Sequence, residues 1–287
     1  MAQVSKKTIK IQGQLLDLST PQVMGILNIT PDSFYSASRM HSMDKVTDSA
    51  GQMLEDGASM LDIGGYSTRP GAKEVGIEEE IERVVPVIAQ LNKYFPELII
   101  SVDTFRSKVA RQSVLNGAHI INDVAGGILD DEMFETVANL GVPYILMHMR
   151  GTPQTMSKLT DYDFLVPRII QELQEKLIRL RDSGVSDILV DPGFGFAKTI
   201  AQNFSLMKNL SEYHKLGCPL LVGISRKGMI YNTLKITAGE ALNGTTILNT
   251  LSLQQGASIL RVHDVKPAVE AVKLWMVTSG VNEKIVI

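Results

Sequence analysis

Cysteine is nearly absent from this 287-residue sequence, which contains only Cys218. An internal disulfide is therefore excluded, and a reducing, cytoplasmic setting is expected. Cys218 stands just before an apolar run. An isolated thiol in that place is expected to pack rather than to react.

Strong charge and long apolar runs are missing as well. The net charge of −3 gives no support for nucleic acid or a membrane surface as a partner. No apolar run approaches the roughly 20 residues that span a bilayer, and the N-terminal residues are not followed by a signal-peptide core. No linker, repeat or low-complexity stretch divides the chain, so we predict one domain over residues 1–287.

Eight apolar, strand-like segments alternate with helical patterns, and each segment closes on polar residues. Near-continuous apolar strands are typical of a parallel sheet buried on both faces. The alternation predicts an α/β protein, a single (β/α)8 TIM barrel. Before it, TIKIQGQLLDLS alternates around Gln12-Gly13 and predicts an N-terminal β-hairpin that covers the barrel bottom. Helices are predicted over 44–56, 77–91, 105–116, 131–139, 163–183, 201–215, 239–254 and 266–278.

The polar residues at the strand ends predict an enzyme, because the catalytic groups of such barrels come from the carboxyl ends of the strands. Period-two alternation places Arg261 and His263 on one face, where they suit an anion such as phosphate. Asp103, Asn122 and Asp191 offer acceptors and an amide to one cavity. Such a set can bind the edge of a flat nitrogen heterocycle, and Lys227 adds a cation beside it.

Several of these residues also have structural explanations when each is considered alone. Asp103 could cap the helix that follows it, and Asn28 and Asp32 could form turns. His148 is better explained as a support for the rim of its strand. His119, at the start of a strand, belongs to the face that serves stability. The strand-end set as a whole favours a site over these alternatives.

Eight segments, in order, resemble motifs of the dihydropteroate synthases, a family of pterin-binding barrels. They span nearly the whole chain after residue 20, and their combination is far more specific than any one of them. The segments are GILNITPDSF at 25–34, GGYSTRPG at 64–71, SVDTF at 101–105, INDVAGG at 121–127, MHMRGTP at 147–153, DPGFGFAKT at 191–199, GISRK at 223–227 and RVHDV at 261–265.

The resemblance implies condensation of (7,8-dihydropterin-6-yl)methyl diphosphate with 4-aminobenzoate, giving 7,8-dihydropteroate and diphosphate in folate biosynthesis. It also implies Mg²⁺, a cytoplasmic homodimer, small-molecule substrates only, and inhibition by sulfonamides. The mechanism it implies is loss of diphosphate before the arylamine attacks the pterin methylene. No nucleophilic side chain is then needed.

The roles that the resemblance implies are carried over position by position. Asn28 would bind Mg²⁺, and catalysis would rest on Asp103, Lys227, Arg261 and His263. The pterin would contact Asp103, Asn122, Asp191 and Lys227; the diphosphate would contact Thr68, Arg261 and His263; the aminobenzoate would contact Phe34, Pro70, Phe196 and Ser225; and Asp32 and Arg69 complete the substrate-binding set.

Two departures from the family pattern stand out. Tyr35-Ser36-Ala37-Ser38-Arg39 replaces a glycine-containing continuation after Phe34, which removes positions that tolerate positive φ from the first loop. Ala197 replaces a common glycine. The first-loop change affects closure of that loop and sulfonamide affinity, and the change at Ala197 is the smaller of the two.

Three rival functions are weighed against this one. A pterin-dependent methyltransferase barrel has no need of the anion pair Arg261 and His263. A Schiff-base aldolase would need a lysine at the end of a strand, whereas Lys227 lies beyond its strand. A non-catalytic pterin-binding protein would retain the heterocycle set without the metal-binding Asn28.

Overall fold

Eight parallel strands close into a barrel in the computed structural model, which describes residues 6–29, 39–66 and 74–280. Neighbouring barrel strands follow chain order, and the last pairs with the first. The predicted (β/α)8 barrel is therefore confirmed. After the hairpin strands β1 (Thr8–Ile11) and β2 (Gln14–Asp17), the barrel strands are β3 (Gln22–Asn28), β4 (Met60–Gly64), β5 (Ile99–Asp103), β6 (Ile120–Asp123), β7 (Tyr144–Met147), β8 (Ile188–Asp191), β9 (Leu220–Val222) and β10 (Ala257–Val262).

Helices surround the barrel, and most lie within a few residues of their predicted bounds. The pattern over 201–215 divides into a helix and a following 3₁₀ segment, Leu210–Leu216. A seven-residue helix after β9 was not predicted, because it is too short for an apolar period to show. The helices are α1 (Arg39–Glu55), α2 (Ile77–Tyr94), α3 (Ser107–Leu115), α4 (Met133–Leu140), α5 (Leu165–Asp182), α6 (Ile200–Lys208), α7 (Gly228–Leu234), α8 (Leu242–Gln254) and α9 (Val265–Thr278).

The N-terminal hairpin closes the bottom of the barrel, as its sequence predicts. Gln12 and Gly13 both have positive φ, 49° and 83°, as a tight two-residue hairpin turn requires. His119 supports the same end, because its Nδ1 accepts from the Ile100 amide at 3.0 Å. The hairpin packs on inward-facing strand residues in one apolar cluster: Ile9, Ile11, Leu18, Met24, Met60, Ile120, Ile145, Leu189, Leu221 and Ile259.

Two residues beyond this apolar cluster, toward the carboxyl ends of the strands, the barrel interior becomes polar. Side chains alternate between the two faces of a strand, so the residue two positions after each inward apolar side chain also points inward. Asp62 pairs in register with Ser101, and Asp103 with Asn122. This change from an apolar floor to a polar layer places the site at the carboxyl end of the barrel. Among the described residues, no helix is long and apolar enough to cross a membrane.

Candidate active site

An ion-pair cluster built around Arg261 occupies the polar layer. The Arg261 Nε donates to Asp62 Oδ2 at 2.6 Å, and its Nη2 donates to Asp103 Oδ2 at 2.6 Å. The Asp62 side chain has no exposed surface, whereas those of Asp103 and Arg261 are 14% and 17% exposed. Burial would lower the pKa of Arg261, but the two carboxylates raise it above its ordinary value. The guanidinium therefore stays charged and is held at two points.

Asn122 joins the same cluster through its amide nitrogen. Its Nδ2 donates to Asp62 Oδ2 at 2.8 Å. Because a carboxylate only accepts, this contact fixes which way the amide faces. Asp123, the next residue, points to the opposite face, where it accepts from the backbone of Ala125 and from the Tyr144 hydroxyl at 2.6 Å. Alternation thus separates a site residue from a structural one.

Asp103 is the site carboxylate with the most perturbed ionisation. Burial raises its pKa to about 7, although the attraction of Arg261 opposes the shift, and Asp62 adds repulsion. The alternative that Asp103 caps α3 is wrong, because Arg106 stands at the N-cap of that helix. Its carboxylate is instead part of the cavity wall, where it is paired with Arg261.

Asp191 and Lys227 form the opposite wall. Asp191 Oδ1 accepts from the Gly193 amide at 2.7 Å, and burial raises the pKa of Asp191, with Lys227 opposing the shift. Burial lowers the pKa of Lys227 to about 8, and Asp191 opposes that change. The Lys227 Nζ donates to the Phe194 carbonyl at 2.5 Å and lies 4.8 Å from the centre of the Phe196 ring. An acceptor and a cation thus face one cavity.

His263 is held at the rim by Ser225. The Ser225 Oγ accepts from the His263 amide at 3.1 Å and lies 3.0 Å from its Nδ1. Arg226 fixes this loop, because it pairs with both oxygens of Asp264 at 2.8 and 2.9 Å. The sequence predicted Ser225 as part of an aminobenzoate pocket, and in the structure its hydroxyl positions the histidine.

A buried lysine that the sequence analysis did not single out anchors the loop after β8. Lys198 Nζ donates to the carbonyls of Gly193 and Phe196, both at 2.9 Å, and contacts His148 Nδ1 at 3.1 Å. His148 Nε2 lies 2.8 Å from Glu172. Burial lowers the pKa of His148 to about 4, so its neutral ring can accept from the lysine. His148 supports the strand rim, as the sequence indicated.

Ala197, in the same loop, has a φ of 49°. That conformation is left-handed and favours glycine, which explains why a glycine suits this position. The Tyr162 hydroxyl donates to the Ala197 carbonyl at 3.0 Å and helps to hold the turn.

Asn28 ends β3 with its side chain exposed. A Cβ added at Gly64 would lie 3.5 Å from Asn28 Oδ1 and 3.7 Å from Asp103 Oδ2. Both oxygens therefore lie beside Gly64, which carries no side chain.

The structure gathers eight sequence-predicted residues at or beside the barrel mouth. Asp62 joins them, although no predicted site set included it. The sequence feature that could have identified it is a charged residue inside an otherwise apolar strand. Five other predicted site residues and most of the atypical first loop lie outside the described residues. The gathered residues are Asp103, Asn122, Asp191, Phe196, Ser225, Lys227, Arg261 and His263, and those outside are Asp32, Phe34, Thr68, Arg69 and Pro70.

A (β/α)8 barrel whose mouth combines carboxylates, an amide and buried cations suits a small polar heterocycle. Comparison with known families agrees: the family described as "Pterin binding enzyme" matches residues 24–263. The chain belongs to this family of pterin-binding enzymes.

Similar proteins narrow the class. The dihydropteroate synthase of Escherichia coli (strain K12) is 43% identical over 274 residues, which cover 95% of this chain and 96% of that protein. A Yersinia pestis dihydropteroate synthase structure with a sulfonamide drug has a TM-score of 0.88 at 41% identity, covering 96% of this chain and 100% of that one. A Xanthomonas albilineans dihydropteroate synthase with 4-aminobenzoic acid has a TM-score of 0.88 at 38% identity, covering 97% and 100%. The activity is that of a dihydropteroate synthase, a transferase of folate biosynthesis.

Proposed function

We propose that the barrel mouth condenses (7,8-dihydropterin-6-yl)methyl diphosphate with 4-aminobenzoate, with the ring bound deep and the diphosphate at the rim. The observation that carries this division is how deeply the side chains are buried. Asn122 and Asp191 are only 2% and 6% exposed, whereas His263 sits on the rim loop beside Ser225.

The deep half suits the edge of a pterin ring. Asp191 Oδ1 is occupied by the Gly193 amide, which leaves Oδ2 to accept from the amino and ring N–H groups of the ligand. Asn122 has its Nδ2 directed to Asp62, so its Oδ1 accepts as well. Lys227 is the donor for the ring carbonyl. A buried donor or acceptor left unpaired costs about 1–3 kcal/mol, so this pattern selects the heterocycle.

The half of the site that holds Arg261 and His263 suits the diphosphate. Arg261 uses Nε and Nη2 on carboxylates, which leaves its Nη1 to donate to the ligand. Its charge, together with a ring N–H of His263, stabilises the departing anion. A methyltransferase barrel would have no use for this pair.

Mg²⁺ fits the space beside Asn28. An amide oxygen is a hard ligand, and Mg²⁺ usually retains waters and substrate phosphates. The described residues contain no group of three His, Cys, Asp or Glu that would hold a metal alone, and Asn28 would act together with diphosphate oxygens. When bound, the ion supplies neutralisation of the leaving charge.

The chemistry that these residues support is dissociation followed by capture. The bond between the pterin methylene and the bridging oxygen breaks, and the electron pair leaves with the diphosphate toward Arg261 and His263. Asp103, when ionised, stabilises the cationic pterin electrostatically. The nitrogen of 4-aminobenzoate then forms the new bond and loses a proton.

The aminobenzoate would lie against Phe196, whose ring is half-buried at the mouth. Phe34 and Pro70 of the two long loops would complete that pocket. Sulfonamides, which mimic aminobenzoate, would compete there, and the Yersinia pestis enzyme was crystallised with such a drug.

We also propose a cytoplasmic homodimer that pairs through α8 and α9. A groove of about 910 Å³ runs between these helices, lined by Thr246, Leu274 and Trp275 among others. Leu274, which lines this groove, is 70% exposed, and Trp275 beside it is half-buried. Exposed apolar surface of this kind marks contact surfaces. Sedimentation should give a dimer for the wild type and a monomer for Leu274→Glu. A monomeric wild type would refute the pairing.

The experiment for the reaction mixes the protein with the pterin diphosphate, 4-aminobenzoate and Mg²⁺. Dihydropteroate and diphosphate should appear in equal amounts, and omission of 4-aminobenzoate should abolish the dihydropteroate. Binding of the pterin diphosphate without any product would instead favour a non-catalytic binding protein.

A further inference from the structure

Asp62 is the most deeply buried charge of the site, and none of the proposed ligand contacts uses it. Its side chain has no exposed surface. It lies in the polar layer on β4, opposite Ser101 of β5. A group sealed in this way lies below any ligand and acts only through its neighbours.

Those neighbours are two residues of the proposed ligand set. Asp62 Oδ2 accepts from Arg261 Nε at 2.6 Å and from Asn122 Nδ2 at 2.8 Å. One oxygen atom thus joins a side chain of the anion half to one of the heterocycle half. A buried carboxylate is costly unless it is paired, and the charge of Arg261 offsets that cost.

The other oxygen of Asp62 has a different environment. Asp62 Oδ1 is buried without a hydrogen-bond partner among the described residues, and so is the Oγ of Ser101 in the same layer. Both donors therefore meet the same oxygen, Oδ2, and this shared contact fixes the direction of the Arg261 guanidinium and of the Asn122 amide.

We propose that Asp62 is a positioning residue that orients both the Arg261 guanidinium and the Asn122 amide from below. Because the carboxylate only accepts, Asn122 must turn Nδ2 toward it and present Oδ1 to the ligand. The heterocycle must then offer an N–H at that point. The inference rests on the proposed roles of Arg261 and Asn122 in ligand binding.

A reciprocal exchange tests the orientation directly. Asn122→Asp alone places two carboxylates in contact, and it should weaken binding of the free pterin alcohol by about 100-fold or more. Adding Asp62→Asn restores a donor and an acceptor in the reverse order: Asn at 62 donates to Asp at 122 and accepts from Arg261. The double variant should regain at least tenfold in affinity over Asn122→Asp, measured by calorimetry.

Asp62→Asn alone provides a second measurement should Asn122→Asp fail to fold. Arg261 loses its charged anchor, so affinity for Mg²⁺-diphosphate should fall about tenfold, and affinity for the pterin alcohol should fall as well. Ser101→Ala, in the same layer and equally buried, is the matched control and should leave both affinities unchanged.

The outcomes separate this inference from the proposed function. If the wild type binds pterin alcohol and diphosphate, yet the double variant is as weak as Asn122→Asp, Asp62 does not orient Asn122. Unchanged affinities in folded Asp62→Asn would also overturn the inference. A wild type that binds neither ligand would instead contradict the proposed function itself.

Discussion

Replacement of Asp191 by asparagine is expected to abolish tight pterin binding while leaving the fold intact. Asparagine has nearly the same volume as aspartate. Its amide oxygen can still accept from the Gly193 amide, which lies 2.7 Å from Asp191 Oδ1 in the wild type. Its Nδ2 then faces the N–H groups of the ligand. The lost charge-assisted hydrogen bond contributes about 1.5–3 kcal/mol, and the unpaired donor costs about 1–3 kcal/mol. At about 1.4 kcal/mol for each tenfold change, affinity should fall about 100-fold or more.

Calorimetric titration of the pterin diphosphate measures that loss, and thermal melting measures the fold. The melting temperature should stay the same or rise, because burial raises the pKa of Asp191 and the ionised carboxylate is thus disfavoured in the folded state. Asp123→Asn is the matched control: this buried carboxylate accepts from Tyr144 and the following turn, so stability should fall while affinity changes little. An unaltered pterin affinity in Asp191→Asn would refute the assigned role.

Three further predictions follow from the same geometry. Arg261→Ala and His263→Ala should lose much more affinity for the pterin diphosphate than for the pterin alcohol, and equal losses would place these residues on the ring. The profile of kcat/KM against pH should be bell-shaped. The value of kcat/KM should decrease below about pH 7, where Asp103 gains a proton, and above about pH 8, where Lys227 loses one. A flat profile from pH 6 to 9 would contradict both assignments. Ala197 has a φ of 49°, which glycine adopts with less strain. Ala197→Gly should therefore raise the free energy of unfolding by up to about 1 kcal/mol, and a lower melting temperature would contradict this.

The fold and the strand-end residues were predictable because both depend on local patterns. Apolar runs mark the strands, and alternation decides which of two adjacent residues, such as Asn122 and Asp123, faces the cavity. A single inward charge within an apolar strand also marked Asp62, but its partner Arg261 lies 199 residues away. Local patterns carry no information about such a pairing.

The remaining misses have equally physical causes. Lys198 was overlooked because a lysine in a loop usually lies in solvent. Here the side chain is buried, and its Nζ contacts three acceptors from two different loops. The hydrogen bond between Ser225 and His263 joins residues 38 positions apart, and local patterns do not reveal such a contact. The short helix α7 has only seven residues, fewer than a helical apolar period needs in order to be recognised.

A crystal structure of the protein with pterin diphosphate and Mg²⁺ tests the central claim most directly, since it shows which side chains contact each half of the substrate. The ring is expected against Asp103, Asn122 and Asp191, with the diphosphate at Arg261 and His263 and the metal at Asn28. A ring bound at Arg261 and His263, or a diphosphate bound against Asn122 and Asp191, would contradict the proposed site.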